Sequence, residues 1–165
     1  MSSRKWTRQC RKELTVLTKS KRIEAAYQYG RNKAAELQTK APDMTGTELY
    51  ADDMFIPSFL SACAVKNMID RKAGFVCKSS AGRVVRLIQP YDSSVYTGEP
   101  EDLAAQWGFV WSDDPSKALP FIALSTSPYN TGNCCLENGV VYRSKIANNV
   151  WSPSAYPNGW EEVPV

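Results

Sequence analysis

The stretch Cys134-Cys135-Leu136-Glu137-Asn138-Gly139-Val140-Val141-Tyr142-Arg143-Ser144 decides how the rest of this chain is read. Two short β-prone runs, Cys134 to Leu136 and Val140 to Ser144, flank Asn138-Gly139. Asn and Gly both tolerate the positive φ that a type I′ turn demands at its central positions, so the pattern predicts a tight β-hairpin. Downstream stand Trp151-Ser152-Pro153 and Tyr156-Pro157-Asn158-Gly159-Trp160, aromatics in a segment too short to bury all of them deeply.

Working outward, the same unit recurs upstream. Lys72 to Arg86, with Gly74, a turn at Gly82 and the pair Val84-Val85, aligns with Asn130 to Arg143, with Gly132, Gly139 and Val140-Val141. Pro100 and Trp107-Gly108-Phe109-Val110 then match Pro157 and Trp160-Glu161-Glu162-Val163. The Gly-to-Trp distance is 107 − 74 = 33 in the first copy and 160 − 132 = 28 in the second. The extra length is assigned to an insertion around Gln89-Pro90-Tyr91-Asp92. Self-similarity of this kind predicts a chain built from two copies of one supersecondary unit.

The N-terminal region is of a different kind. From about Arg8 to Thr39 it is rich in Ala, Leu, Glu, Lys, Arg and Gln, with no proline before Pro42, which predicts one bent helix or two helices. Cys10, Leu14, Leu17, Ile23, Ala26, Tyr27, Ala34 and Leu37 form a narrow apolar stripe that predicts packing against another copy or another protein. Residues 1–40 hold eleven Lys/Arg against Glu13, Glu24 and Glu36, a balance of +8. The remaining residues carry −5, which together give the net +3. A basic arm on an acidic body invites docking to something negative. Trp6, Arg4, Lys5, Arg8, Arg11, Lys12, Lys19, Lys21 and Arg22 are the candidate docking residues. Those cations would equally serve as phosphate contacts in a nucleic-acid-binding reading.

Between arm and repeats, Ala41 to Thr47 reads as turn. A short helix is predicted from about Gly46 to Met54. A second is predicted from Pro57 to about Arg71, burying Phe59, Leu60, Ala64 and Met68. Ala118 to Ser125 reads as a short buried strand. The expected segments are 1–42 (helical arm), 43–112 (helices and first β module) and 113–165 (second β module). The fold class expected is α+β, an N-terminal helical arm followed by two small duplicated β-hairpin modules.

The pattern carried by Tyr129, Gly132, Asn133, Gly139, Tyr142, Trp151, Pro153 and Trp160 resembles the small chitin-binding modules of carbohydrate-binding families five and twelve. It is most similar to the degenerate versions found in tail and other virion proteins of bacteriophages. The likeness spans about a fifth of the chain. Asn133 stands where the secreted modules usually have Asp, Cys134-Cys135 replaces a single β-former, and the tandem tryptophan of many secreted chitin binders is missing. The resemblance implies displayed β modules that bind cell-surface or environmental glycans or serve as packing units. Trp151, Tyr129, Tyr156, Tyr91 and Tyr96 are the glycan-binding candidates, because pyranose C–H faces lie flat on aromatic rings. Tyr142, Trp160 and Trp107 are expected in the core, Trp111 at its rim, and Tyr91 with Tyr96 as the exposed pair of the first unit.

Chemistry is sparse. The chain has no histidine, which removes the commonest metal ligand and general base. Asp113-Asp114, Asp52-Asp53, Glu99-Glu101 and Glu161-Glu162 read as solvated loop charge rather than catalytic pairs. No phosphate-binding glycine loop is present. Five cysteines, Cys10, Cys63, Cys77, Cys134 and Cys135, include no Cys-x-x-Cys pair, and the vicinal two read as strand residues. No catalytic residue, metal site or cofactor is therefore expected. Without an apolar span or a signal-peptide stretch, the expected setting is a virion made in a host cytoplasm. Its expected partners are other virion proteins, further copies of the chain and a glycan, with no membrane. The alternative is a nucleic-acid-binding or packaging-associated protein acting through the basic N-terminal helix.

Overall fold

The computed structural model describes the backbone of residues 3–164 and the side chains of residues 18–164. The chain is α+β. One long helix, α1 (Ser3–Lys40), is followed by α2 (Gly46–Ala51), α3 (Phe59–Val65) and seven short strands in two sheets. Residues 1–36 form one compact unit and residues 37–165 the other, so both sheets lie in a single unit. Helix α1 ends where Ala41–Asp43 tightens into a 3-10 turn with Pro42 near its start, since proline cannot continue the α ladder. Thr45 and Glu48 close a capping box on α2, and Ser58 accepts the Ser61 N–H to start α3.

The first sheet is the antiparallel meander β1 (Val76–Lys78), β2 (Val84–Leu87) and β3 (Trp107–Phe109). The second contains β4 (Leu119–Pro120), β5 (Cys134–Glu137), β6 (Val140–Ser144) and β7 (Trp160–Val163) in that order. Asn138 (φ 52°) and Gly139 (φ 80°) make the β5–β6 connection with both central residues at positive φ, as the dipeptide predicts. Alternation along β1 and β2 buries two faces of the first sheet. Val76 and Val84 join Leu37, Ala41, Leu49, Tyr50 and Ile56. Cys77, Val85, Leu87, Trp107 and Phe109 join Phe59, Trp111, Tyr129, Cys135 and Trp160 in the larger core.

The repeat holds at the level of hydrogen bonds. Gly74 and Gly132 both sit at positive φ (92° and 97°). Each donates its N–H to the last residue of the middle strand, Leu87 at 2.8 Å and Ser144 at 2.9 Å. Those same residues face the matched tryptophans, Leu87 against Trp107 and Ser144 against Trp160. Each unit is thus a three-stranded meander rather than a bare hairpin.

Several expectations need correction. The helix predicted from Pro57 to Arg71 stops at Val65, because Lys66 turns to extended backbone, and a separate 3-10 turn follows at Met68–Asp70. Its buried face is Phe59, Ala62 and Met68, while Leu60 and Ala64 are exposed. The strand predicted from Ala118 to Ser125 pairs only at Leu119 and Pro120, parallel to Cys135 and Leu136. After Pro120 the chain leaves the ladder with one further bond, Phe121 N–H to Leu136 C=O. Trp111 is core rather than rim, its Nε1–H donating to the Ser127 carbonyl at 2.9 Å. Tyr142 is only half-buried.

Alanine at Gly74 would need a disfavoured positive φ with its Cβ 2.9 Å from the Pro42 ring. At Gly132 the Cβ would press on the Asp113 carboxylate at 3.3 Å. Gly74→Ala and Gly132→Ala are each expected to lower the unfolding free energy by at least about 1 kcal/mol, measured by urea titration.

Candidate functional site

The loops joining the second and third strands of each unit carry the same arch. In the first, Tyr96 N–H donates to Asp92 C=O at 3.0 Å; in the second, Tyr156 N–H donates to Ser152 C=O at 2.9 Å. Five positions before each of these tyrosines stands a second ring, Tyr91 or Trp151, packed edge to face. The centroids are 6.5 Å apart at 69° in the first arch and 5.9 Å apart at 62° in the second. The sequence echo is Ser94-Val95-Tyr96 and Ser154-Ala155-Tyr156. The extra length of the first unit's loop therefore falls between Tyr96 and Trp107, not around Gln89 to Asp92.

Each arch is fixed by a carboxylate clasping that serine. Asp92 Oδ1 accepts from the Ser94 N–H (2.9 Å) and hydroxyl (2.6 Å). Glu137, at the end of β5, accepts from the Ser154 N–H (2.8 Å) and hydroxyl (3.1 Å). The Ser94 hydroxyl, then Asn67 and the Ser94 N–H, hold the Asp92 carboxyl below its usual range. In the second arch Asn149, fully buried, donates to Ser144 Oγ and accepts from Trp151 N–H. Gly159 lets the Tyr156 ring lie on bare backbone, where a Cβ would come within 2.6 Å of it.

The arches differ in what their first ring does. Tyr91 is 6% exposed and its hydroxyl accepts the Trp107 Nε1–H at 3.1 Å, so the fold consumes both its face and its polar tip. In the second arch the Trp160 Nε1–H is satisfied by the Trp151 backbone carbonyl at 3.0 Å. The Trp151 indole stays 53% exposed, beside Tyr156 at 40%. Leaving about half an indole in water forgoes roughly 1–2 kcal/mol of burial.

Of the glycan candidates, Trp151 and Tyr156 are adjacent and open, and Tyr96 is open in the other arch. Tyr91 is a core residue for the reason just given. Tyr129 is also unavailable to a ligand. It is 1% exposed, stacked on Trp111 at 4.2 Å and on Phe121 at 5.3 Å, and burial pushes its phenol well up. Asp92, Asn149, Glu137 and Gly159 are positioning residues that the sequence reading did not single out. The Ser-x-Tyr echo with an aromatic five positions earlier was the signal that marks them.

Among the docking candidates, Lys19, Lys21 and Arg22 lie exposed on α1, with Ile23 and Tyr27 exposed nearby. The side chains of Arg4, Lys5, Trp6, Arg8, Arg11 and Lys12 lie outside the described residues. The acidic groups are largely engaged in holding loops. Asp113 Oδ1 accepts from Asn133 Nδ2, Asp114 Oδ1 caps Ser116, Glu99 clasps Ser80, and Glu101 pairs with Arg83 at 3.1 Å. Among the described residues no group of three or more His, Cys, Asp or Glu is placed to hold a metal ion. Both vicinal cysteines are buried. The Cys134 thiol donates toward the Asp113 carbonyl at 3.5 Å, and burial raises the Cys135 thiol to about 12. No helix among the described residues is long and apolar enough to cross a membrane. Compared with protein-family models, curated proteins and solved structures, the chain shows no match.

Two outcomes check this assignment of the rings. Tyr91→Phe orphans the buried Trp107 indole N–H and is expected to cost about 1–3 kcal/mol in urea unfolding. Trp151→Ala gives up only the buried half of its indole and is expected to cost about 1–2 kcal/mol. Asp92 has a depressed folded pKa, so its stabilisation is complete above the ordinary carboxylate range and is lost as pH falls below about 4. Asp92→Asn should flatten the acid limb of the stability profile.

Proposed function

We propose that the chain is a non-enzymatic structural protein of a bacteriophage virion (tail, neck or head decoration) whose second β unit binds a glycan through Trp151 and Tyr156. One observation carries the glycan part. The same arch occurs twice, and only in the second does the fold leave the first ring unused while holding its backbone rigid. A large ring kept half in water by a loop that Glu137, Asn149 and the Tyr156 N–H hold in place is the kind of feature a ligand stabilises. The two rings meet at 62°, forming a corner rather than a flat platform. One pyranose face would stack on the indole, with its edge against Tyr156. The Ser154 hydroxyl donates to Glu137 and lies 3.1 Å from that of Ser152, so this pair would accept hydrogen bonds from sugar hydroxyls.

The resemblance at Tyr129 to Trp160 supports placement in a bacteriophage virion, and the basic, stripe-bearing sequence of α1 supports attachment through it. The lack of histidine, and the use of Asp92, Glu99, Asp113, Asp114 and Glu137 to hold loops, support reading the chain as a recognition module.

The test is retention of the purified chain on insoluble chitin, cellulose and peptidoglycan. Wild type is expected to be retained on at least one. Trp151→Ala and Tyr156→Ala should each weaken retention roughly tenfold or more, as loss of one stacked aromatic does, with circular dichroism unchanged. No retention of wild type on any polymer, together with a shift of DNA mobility at physiological salt, would replace this reading with a nucleic-acid-binding one.

A further inference from the structure

The geometry points to a second saccharide-stacking site at Tyr96 in the first arch, so that one chain grips a polymeric glycan at two points. This inference rests on the glycan reading of Trp151 and Tyr156, and it extends that reading to the class of ligand.

Tyr96 is the register equivalent of Tyr156. Both follow a three-residue turn, both donate their N–H to the carbonyl four positions back, and both stand two positions after a carboxylate-clasped serine. Tyr96 is 56% exposed, more than Tyr156. Its backbone is pinned from outside the arch as well. Asn67 donates to Asp92 Oδ1 at 2.8 Å and accepts from Ser93 N–H at 3.0 Å, while Met68 N–H reaches Ser93 Oγ at 3.2 Å. A ring presented from so fixed a loop loses little conformational freedom when a flat ligand settles on it.

The two sites are unequal, because Tyr91 is core and only one ring is open in the first arch. A single open tyrosine gives a weak site for one sugar. Both arches belong to the same compact unit, residues 37–165, so where one polymer reaches both, engaging the first raises the effective concentration at the second. Avidity of that kind multiplies retention without new contacts, and it acts only on a ligand with repeating units. The class implied is a polysaccharide, not a mono- or disaccharide.

Ile69, beside the Met68 that bonds Ser93, and Val95 within the arch are also exposed, as is Val65, and an aliphatic surface suits a protein partner. The saccharide is favoured because the open ring recurs at the same position of both units. Val65 and Ile69 instead belong to the helical segment before β1, outside the repeated unit.

The experiment compares wild type, Tyr96→Ala, Trp151→Ala and the double variant on chitin, cellulose and peptidoglycan. Sedimentation analysis of each full chain runs alongside. Expected is a loss of roughly tenfold or more in retention for Tyr96→Ala, and none retained for the double variant. If Tyr96→Ala is retained like wild type while Trp151→Ala is not, the second site is wrong and the first reading stands. If Tyr96→Ala leaves retention alone and changes the sedimenting mass, the arch docks protein and the proposal is overturned. If wild type binds none of the polymers, both readings fall.

Discussion

A stack of aromatic rings ties the two repeated units into one body. Phe109 at the end of β3 lies over Trp111 at 6.0 Å, Trp111 over Tyr129 at 4.2 Å, and Tyr129 over Phe121 at 5.3 Å, all within 23° of parallel. Trp160 of the second sheet closes the stack edge-on against Tyr129 at 5.4 Å. Such contacts each contribute about 0.5–1.5 kcal/mol beyond area burial, and here they are shared between two sheets that have no strand pairing to each other. The polar tips are satisfied locally, Trp111 on the Ser127 carbonyl and the Tyr129 hydroxyl by the Ile122 N–H. With the core supplied in this way, the second arch is free to leave Trp151 in water.

The repeat was legible because its determinants are local. Asn138-Gly139, the paired glycines at 74 and 132, and the tryptophans at 107 and 160 act through backbone conformation and strand register, which short windows encode. The end of α1 at Lys40 was legible for the same reason, through helix-forming composition before Pro42, whereas its start at Ser3 lies five residues ahead of the expected Arg8.

What stayed hidden depends on partners distant in sequence. Tyr129 reads as a loop aromatic beside polar residues, yet its burial is set by Trp111, Phe121 and Trp160. Tyr91 sits in a polar stretch, and only the Trp107 indole across the loop makes it core. Tyr91 and Trp151 hold the same position in their arches, and no local pattern separates the one that packs from the one that does not. The difference is where the matched tryptophan sends its N–H, to a phenol in one unit and to a backbone carbonyl in the other.

About half of the Trp151 indole lies in water, open to a flat ligand. Most direct is to follow the indole N–H signals of 15N-labelled protein during addition of a soluble hexamer cut from the polymer that retains the chain. The Trp151 signal is expected to move saturably while those of Trp107, Trp111 and Trp160 stay in place. A Trp151 signal that remains fixed at saturating hexamer, or movement confined to the buried indoles, would contradict it.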